Sequence, residues 1–198
     1  MAYKNIYEVL EQYEYDPSKM EDFIKEINTF KSDIDIIDPD KRVTPITYYC
    51  IKHLKSGVNR DVLEILITEL EANVNKKSAR FDIPLSILLD SENRIDNVDA
   101  IKLLYQYTDK NLLIEQENPG KKRSLFVRLI TDNEIFNSEE VDMLHGDIIR
   151  TLKLKQDKET WILYLVGPEI LFLNKFIEWI FLYNIYGLSG ALFFLPKI

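Results

Sequence analysis

Chemistry in a protein needs reactive groups at workable spacing, and this chain holds few candidates. It has two histidines, His53 and His145, far apart and outside any H-E-x-x-H pattern. Its one cysteine, Cys50, sits between Tyr49 and Ile51 on an apolar run, which reads as a buried packing thiol rather than a nucleophile. Asp33, Asp35, Asp38 and Asp40 fall close together in "SDIDIIDPDKR". A calcium loop would need D-x-D-x-D-G and a distal Glu, but Ile36 and Ile37 break the spacing and the glycine is missing. An extended hairpin with solvated acids is expected there. No glycine-rich phosphate loop and no G-x-S-x-G elbow occurs. The expectation is a non-enzymatic protein with no cofactor and no metal.

The bulk properties bound the partners. The chain has 198 residues, a net charge of -8 and a pI near 4.9. That balance disfavours nucleic acid, because phosphate binding needs a basic surface. Two local basic stretches, "KLKQDK" (153–158) and "GKKR" (120–123), read as solvated loops. A single cysteine excludes an intrachain disulfide and suits a reducing, cytoplasmic setting. The N-terminus alternates charged and apolar residues and lacks the apolar h-region of a secretory signal.

The elements that would position these residues are helices. "KNIYEVLEQYE" (4–14) puts Ile6, Val9, Leu10 and Tyr13 on one face. Ser18 and Glu21 spell a capping box, followed by Met20, Phe23, Ile24, Ile27 and Phe30 at helical spacing. Pro45 opens "PITYYCIKHL", where its missing N–H is unneeded. "RDVLEILITELEA" follows as a second helix. The same order recurs with "IPLSILLDS" (83–91) and "VDAIKLLYQY" (98–107), and again with "SLFVRLITDN" (124–133) and "VDMLHGDIIRTLKL" (141–154). Ile46, Leu85 and Leu125 recur at about 39–40 positions. Each unit is a short helix, a turn, a longer helix and a polar connector. None can bury its faces alone, so the units must stack.

"TPITYYC" (44–50) followed by "VLEILI…EANVN" (62–75) resembles an ankyrin repeat. Thr44, Pro45 and Ile46 match T-P-L, and Ala72, Asn73, Val74 and Asn75 fill the A-D-V-N positions. Pro84, Leu85 and "VDAIKLL" (98–104) repeat the pattern. The chain departs from the family where Thr47 and Ser86 replace the motif histidine, whose bonds to the neighbouring repeat must come from hydroxyls or be lost. Arg42 and Glu71 stand at positions where the family has glycine, positions that favour positive φ. The units also exceed the family's usual length of about 33. The array is similar to those of poxvirus host-range proteins and of some protist and bacterial effectors.

The resemblance implies an all-α, ankyrin-like solenoid of about four helix-turn-helix repeats over 1–158, with units near 3–36, 40–75, 80–115 and 120–154. A different helical-hairpin solenoid or bundle is the alternative. It implies a protein-protein interaction module, a host-interaction protein by analogy. The partner, a protein of unknown identity, would dock on the concave face lined by connector tips and first helices. The residues there are Lys41, Arg42, Tyr48, Lys52, His53, Arg80, Phe81, Lys121 and Lys122. Tyr and Arg are the types that anchor interfaces, although Tyr48 and Phe81 read equally well as packing between repeats.

From Trp161 charges nearly vanish. The tail, 159–198, has three readings: a packed helical hairpin, a membrane anchor over 176–195, or a truncated or frame-shifted end. Glu178 and Asn184 weaken the anchor, since buried polar groups cost free energy in lipid. If it is an anchor, the protein is a membrane-tethered adaptor. "GPEILFLNKFIEWI" is faintly similar to the start of the F-box-like domain that ends many poxvirus ankyrin proteins, with Gly167-Pro168 in place of its Leu-Pro.

Overall fold

Local capping chemistry starts three of the helices. Asn5 opens α1 (Ile6–Gln12) by accepting the Glu8 N–H at 3.0 Å. Thr44 caps α3 (Pro45–His53), and Asn59 caps α4 (Arg60–Thr68) through the Val62 N–H at 3.1 Å. Such caps satisfy donors that the first turn leaves orphaned. Pro45 and Pro84 stand at the first positions of α3 and α5 (Pro84–Asp90). The other helices are α2 (Met20–Asn28), α6 (Val98–Tyr107), α7 (Lys110–Ile114) and α8 (Leu125–Thr131). The computed structural model describes residues 3–79, 82–114, 125–131, 134–137, 139–141 and 143–144. Among them the chain is all helix and turn, with no strand. The last helix expected from the sequence, over 141–154, lies largely outside the described residues, and the tail from 159 lies wholly outside.

Helices one period apart are neighbours. α3 packs between α1 and α5, α5 also meets α6 and α8, and α4 packs on α6. The core runs continuously through them: Ile6, Leu10, Ile27, Ile46, Leu63, Leu66, Leu85, Leu88, Ile101 and Leu104 are all sealed from solvent. Burying such side chains contributes roughly 1.5–3 kcal/mol each, the main favourable term of the stack.

Hydrogen bonds also join segments that lie 38–43 residues apart along the chain. The side chain of Asn97, 1% exposed, accepts the Val58 N–H at 2.7 Å. It also donates to Leu54 O (3.2 Å) and Asn93 O (2.8 Å). Arg128 donates to the Asp90 carboxylate (2.5 Å) and to Ser86 O (3.4 Å). Asn73 N–H reaches Asp35 Oδ1 at 2.8 Å, and Ala79 N–H reaches Arg42 O at 3.0 Å, joining successive connectors.

Arg42 and Glu71 adopt φ of 62° and 63°, the left-handed region expected at their glycine-like positions. Other expectations are corrected. Ser18 and Glu21 form no capping box. Asp16 instead accepts both the N–H and the hydroxyl of Ser18, closing a 3-10 turn, and α2 begins at Met20 without a side-chain cap. Asp35 and Asp38 are not simply solvated, because Asp38 Oδ1 accepts the Asp40 and Lys41 N–H groups and Asp35 holds Asn73. The Thr47 and Ser86 hydroxyls do not replace the histidine bridge between units. They bond within their own helix starts, to Thr44 (2.9 Å) and Ile83 (2.8 Å). Of the expected inward face of α2, Phe23 and Ile27 are buried, whereas Met20, Ile24 and Phe30 are only half-buried.

Candidate partner-binding face

The connector before α3 and the outer side of α3 meet the end of α1. Tyr7, on α1, anchors the arrangement. Its buried hydroxyl donates towards Val43 O (2.6 Å) and Ile36 O (2.8 Å) and accepts the Asp38 N–H (3.2 Å). Burial is the main cause that pushes its pKa up to about 12. Tyr48 of α3 stands edge-on to the Tyr7 ring at 5.4 Å. Lys41 Nζ lies 4.5 Å over the Tyr48 ring and 4.0 Å from the Glu11 carboxylate. A cation over a half-buried ring contributes on the order of 0.5–1 kcal/mol, and an exposed ion pair about 0–1 kcal/mol. The connector, α1 and α3 thus hold Tyr48 and Lys41 in one fixed geometry.

Lys52 and His53 serve the fold more than the surface. Lys52 Nζ donates to Leu10 O at 2.9 Å and to Glu11 O, supplying a positive charge to the carbonyl end of α1. Desolvation lowers its pKa, against the opposing pull of Glu11 and Glu14. His53 is half-buried, its ring tilted against Tyr49 at 4.6 Å, with Nδ1 3.5 Å from the Ser56 hydroxyl. Its Nε2 is enclosed without a partner. Desolvation first, then the Lys52 charge, lowers its pKa, so the neutral ring is favoured. His53 is therefore not the open surface residue the sequence suggests.

Arg42 is exposed, and its guanidinium makes no ion pair among the described residues. Its backbone is fixed by the Ala79 N–H. Lys41 and Arg42 are exposed neighbours in the connector, and Lys41 lies over the half-buried ring of Tyr48, which packs against the core. Arg80, Phe81, Lys121 and Lys122 lie outside the described residues. Sequence reasoning missed Tyr7 and Glu11 as supports of Tyr48 and Lys41. Tyr7 lies off the Ile6, Val9, Leu10 and Tyr13 stripe, and its hydroxyl partners are 29 and 36 residues away. No local spacing signals such a bond.

Cys50 is sealed, and burial drives its thiol well above the usual range, which holds it protonated. Among the described residues no group of three His, Cys, Asp or Glu side chains converges to hold a metal ion. No described helix is long and apolar enough to cross a membrane, and 176–195 lies outside the described residues. No protein-family pattern, curated protein or solved structure matches this chain.

Proposed function

We propose that the chain is a divergent ankyrin-like repeat module, without catalytic activity, that binds a partner protein through the edge formed by Lys41, Arg42 and Tyr48. The observation that carries the reading is the fixing of that edge. Two tyrosines, a lysine and a connector are locked together, and an unpaired arginine stands beside them. Rigid aromatic and guanidinium groups lose little conformational entropy on docking, which is why they anchor interfaces. Support for the ankyrin-like reading comes from the helix pairs that meet one period apart. The two non-glycine residues at positive φ and the Ala79-to-Arg42 link between connectors also support it.

A photo-crosslinking side chain placed at position 48 in the full chain tests the proposal. It should capture a defined protein, and Arg42→Glu should abolish that capture while leaving the circular dichroism spectrum unchanged. Capture that persists undiminished with Arg42→Glu and Lys41→Glu combined would sink the assignment.

A further inference from the structure

A second surface lies away from this edge, between α2 and α4. α4 packs closely on α6, but α2 makes no comparably close approach to α4. The gap is an open groove of about 500 Å³, floored by Met20, Ile24 and Ile65 and rimmed by Asp61, Glu64 and Glu69. That volume is large enough for one or two bulky side chains. The three floor residues are only half-buried, so their apolar surface still faces solvent.

The rim is one-signed. Among the described residues, none of its three carboxylates pairs with a cation of this chain. The nearby Lys31 is already committed, to the Glu71 carboxylate (2.9 Å) and the Glu69 carbonyl (2.8 Å). Asp61 accepts the Tyr15 hydroxyl at 2.9 Å, which holds that carboxylate at the mouth of the groove. Three carboxylates without an ion-pair partner among the described residues, set around apolar side chains, favour an occupant that is apolar at its centre and cationic at its edges.

We propose that this groove docks a short segment of a partner protein carrying a bulky aliphatic or aromatic side chain flanked by Lys or Arg. The apolar side chain covers Met20, Ile24 and Ile65, and the flanking cations meet Asp61, Glu64 and Glu69. The surface is separate from the Lys41–Arg42–Tyr48 edge, whose own charge is positive.

The test is a displayed random-peptide library selected on the full chain, counter-selected on the Glu64→Lys/Glu69→Lys variant. Both changes are on the rim, away from the sealed core. Enriched peptides should place Lys or Arg beside Leu, Ile, Met or Phe. Their affinity should fall about tenfold or more in the charge-reversed variant and with added salt, and stay unchanged in Arg42→Glu. Ile24→Ser should weaken them without changing the salt dependence. The proposal is overturned if nothing is enriched over the variant, or if the enriched peptides lack basic residues. It is equally overturned if Arg42→Glu, rather than the rim reversal, removes binding.

Discussion

Replacing Arg42 with glycine should stabilise the protein, although substitution to glycine ordinarily destabilises. The residue holds φ of 62°, where a Cβ crowds the following carbonyl at a cost of roughly 1–2 kcal/mol. Glycine avoids that strain but loses more chain entropy on folding, about 0.5–1 kcal/mol. The difference leaves Arg42→Gly more stable by up to about 1.5 kcal/mol, centred at roughly 0.7 kcal/mol. Glu71 shares the geometry at φ 63°, but its carboxylate is paired with Lys31 at 2.9 Å. Its side chain is 76% exposed, so the pair is worth between about 0 and 1 kcal/mol and Glu71→Gly should gain less than Arg42→Gly. Asp40, two residues before Arg42 and not at positive φ, is the control, and Asp40→Gly should lose about 0.5–1 kcal/mol. Urea unfolding with an unchanged m-value reads all three. If Arg42→Gly destabilises as Asp40→Gly does, the left-handed backbone at 42, and with it the glycine-like reading of that position, is wrong. Because Arg42 also stands on the proposed binding edge, the same variant should be more stable and bind its partner more weakly, a pairing that loss of folding cannot produce.

Two further outcomes are expected. Asn97→Ala removes three hydrogen bonds from a sealed side chain and orphans the buried Val58 N–H, so unfolding should cost about 2–4 kcal/mol less. Asn75→Ala, which loses the more exposed bond to the Asp109 N–H, should cost under about 1 kcal/mol, and equal losses in chemical denaturation would contradict the pinning role of Asn97. Tyr7 has its folded pKa raised from 10.0 to about 12, so its contribution is fully present below pH 10 and is lost as the pH rises through 12. In that window the unfolded chain has released the proton that the folded chain keeps, and stability falls by about 1.4 kcal/mol per pH unit. Tyr7→Phe should be less stable at neutral pH but show a shallower decline between pH 10 and 12. Parallel declines in pH-dependent unfolding would rule Tyr7 out as a source of the slope.

Much of the fold was legible because its causes are local. Pro45, Pro84 and Thr44 mark helix starts, since caps and fixed φ act within one turn. The resemblance put Arg42 and Glu71 at glycine positions, and both take positive φ; a third positive φ, 88° at Gly57, was not anticipated. Ser18–Glu21 had the letters of a capping box but not the structure. Asp16 took the Ser18 hydroxyl first, a competition the motif does not encode.

The site was legible only in part. Residue type and position along the chain grouped Lys41, Arg42, Tyr48, Lys52 and His53 as one candidate face. The structure commits Lys52 to the carbonyls of α1 and encloses His53 against Tyr49. Those fates depend on groups in another part of the stack: Lys52 and Tyr7 find their partners 42 and 36 residues away. The groove between α2 and α4 is lined by residues from two segments about 40 positions apart, so neither segment's own pattern records it. By itself the sequence determined the starts of α1, α3 and α5 and much of the apolar face of each helix, because neighbours along the chain decide these. Only the tertiary packing decided which polar side chains are taken up by bonds inside the fold, as those of Lys52 and Asn97 are, because their partners lie 42 and 39 residues away along the chain.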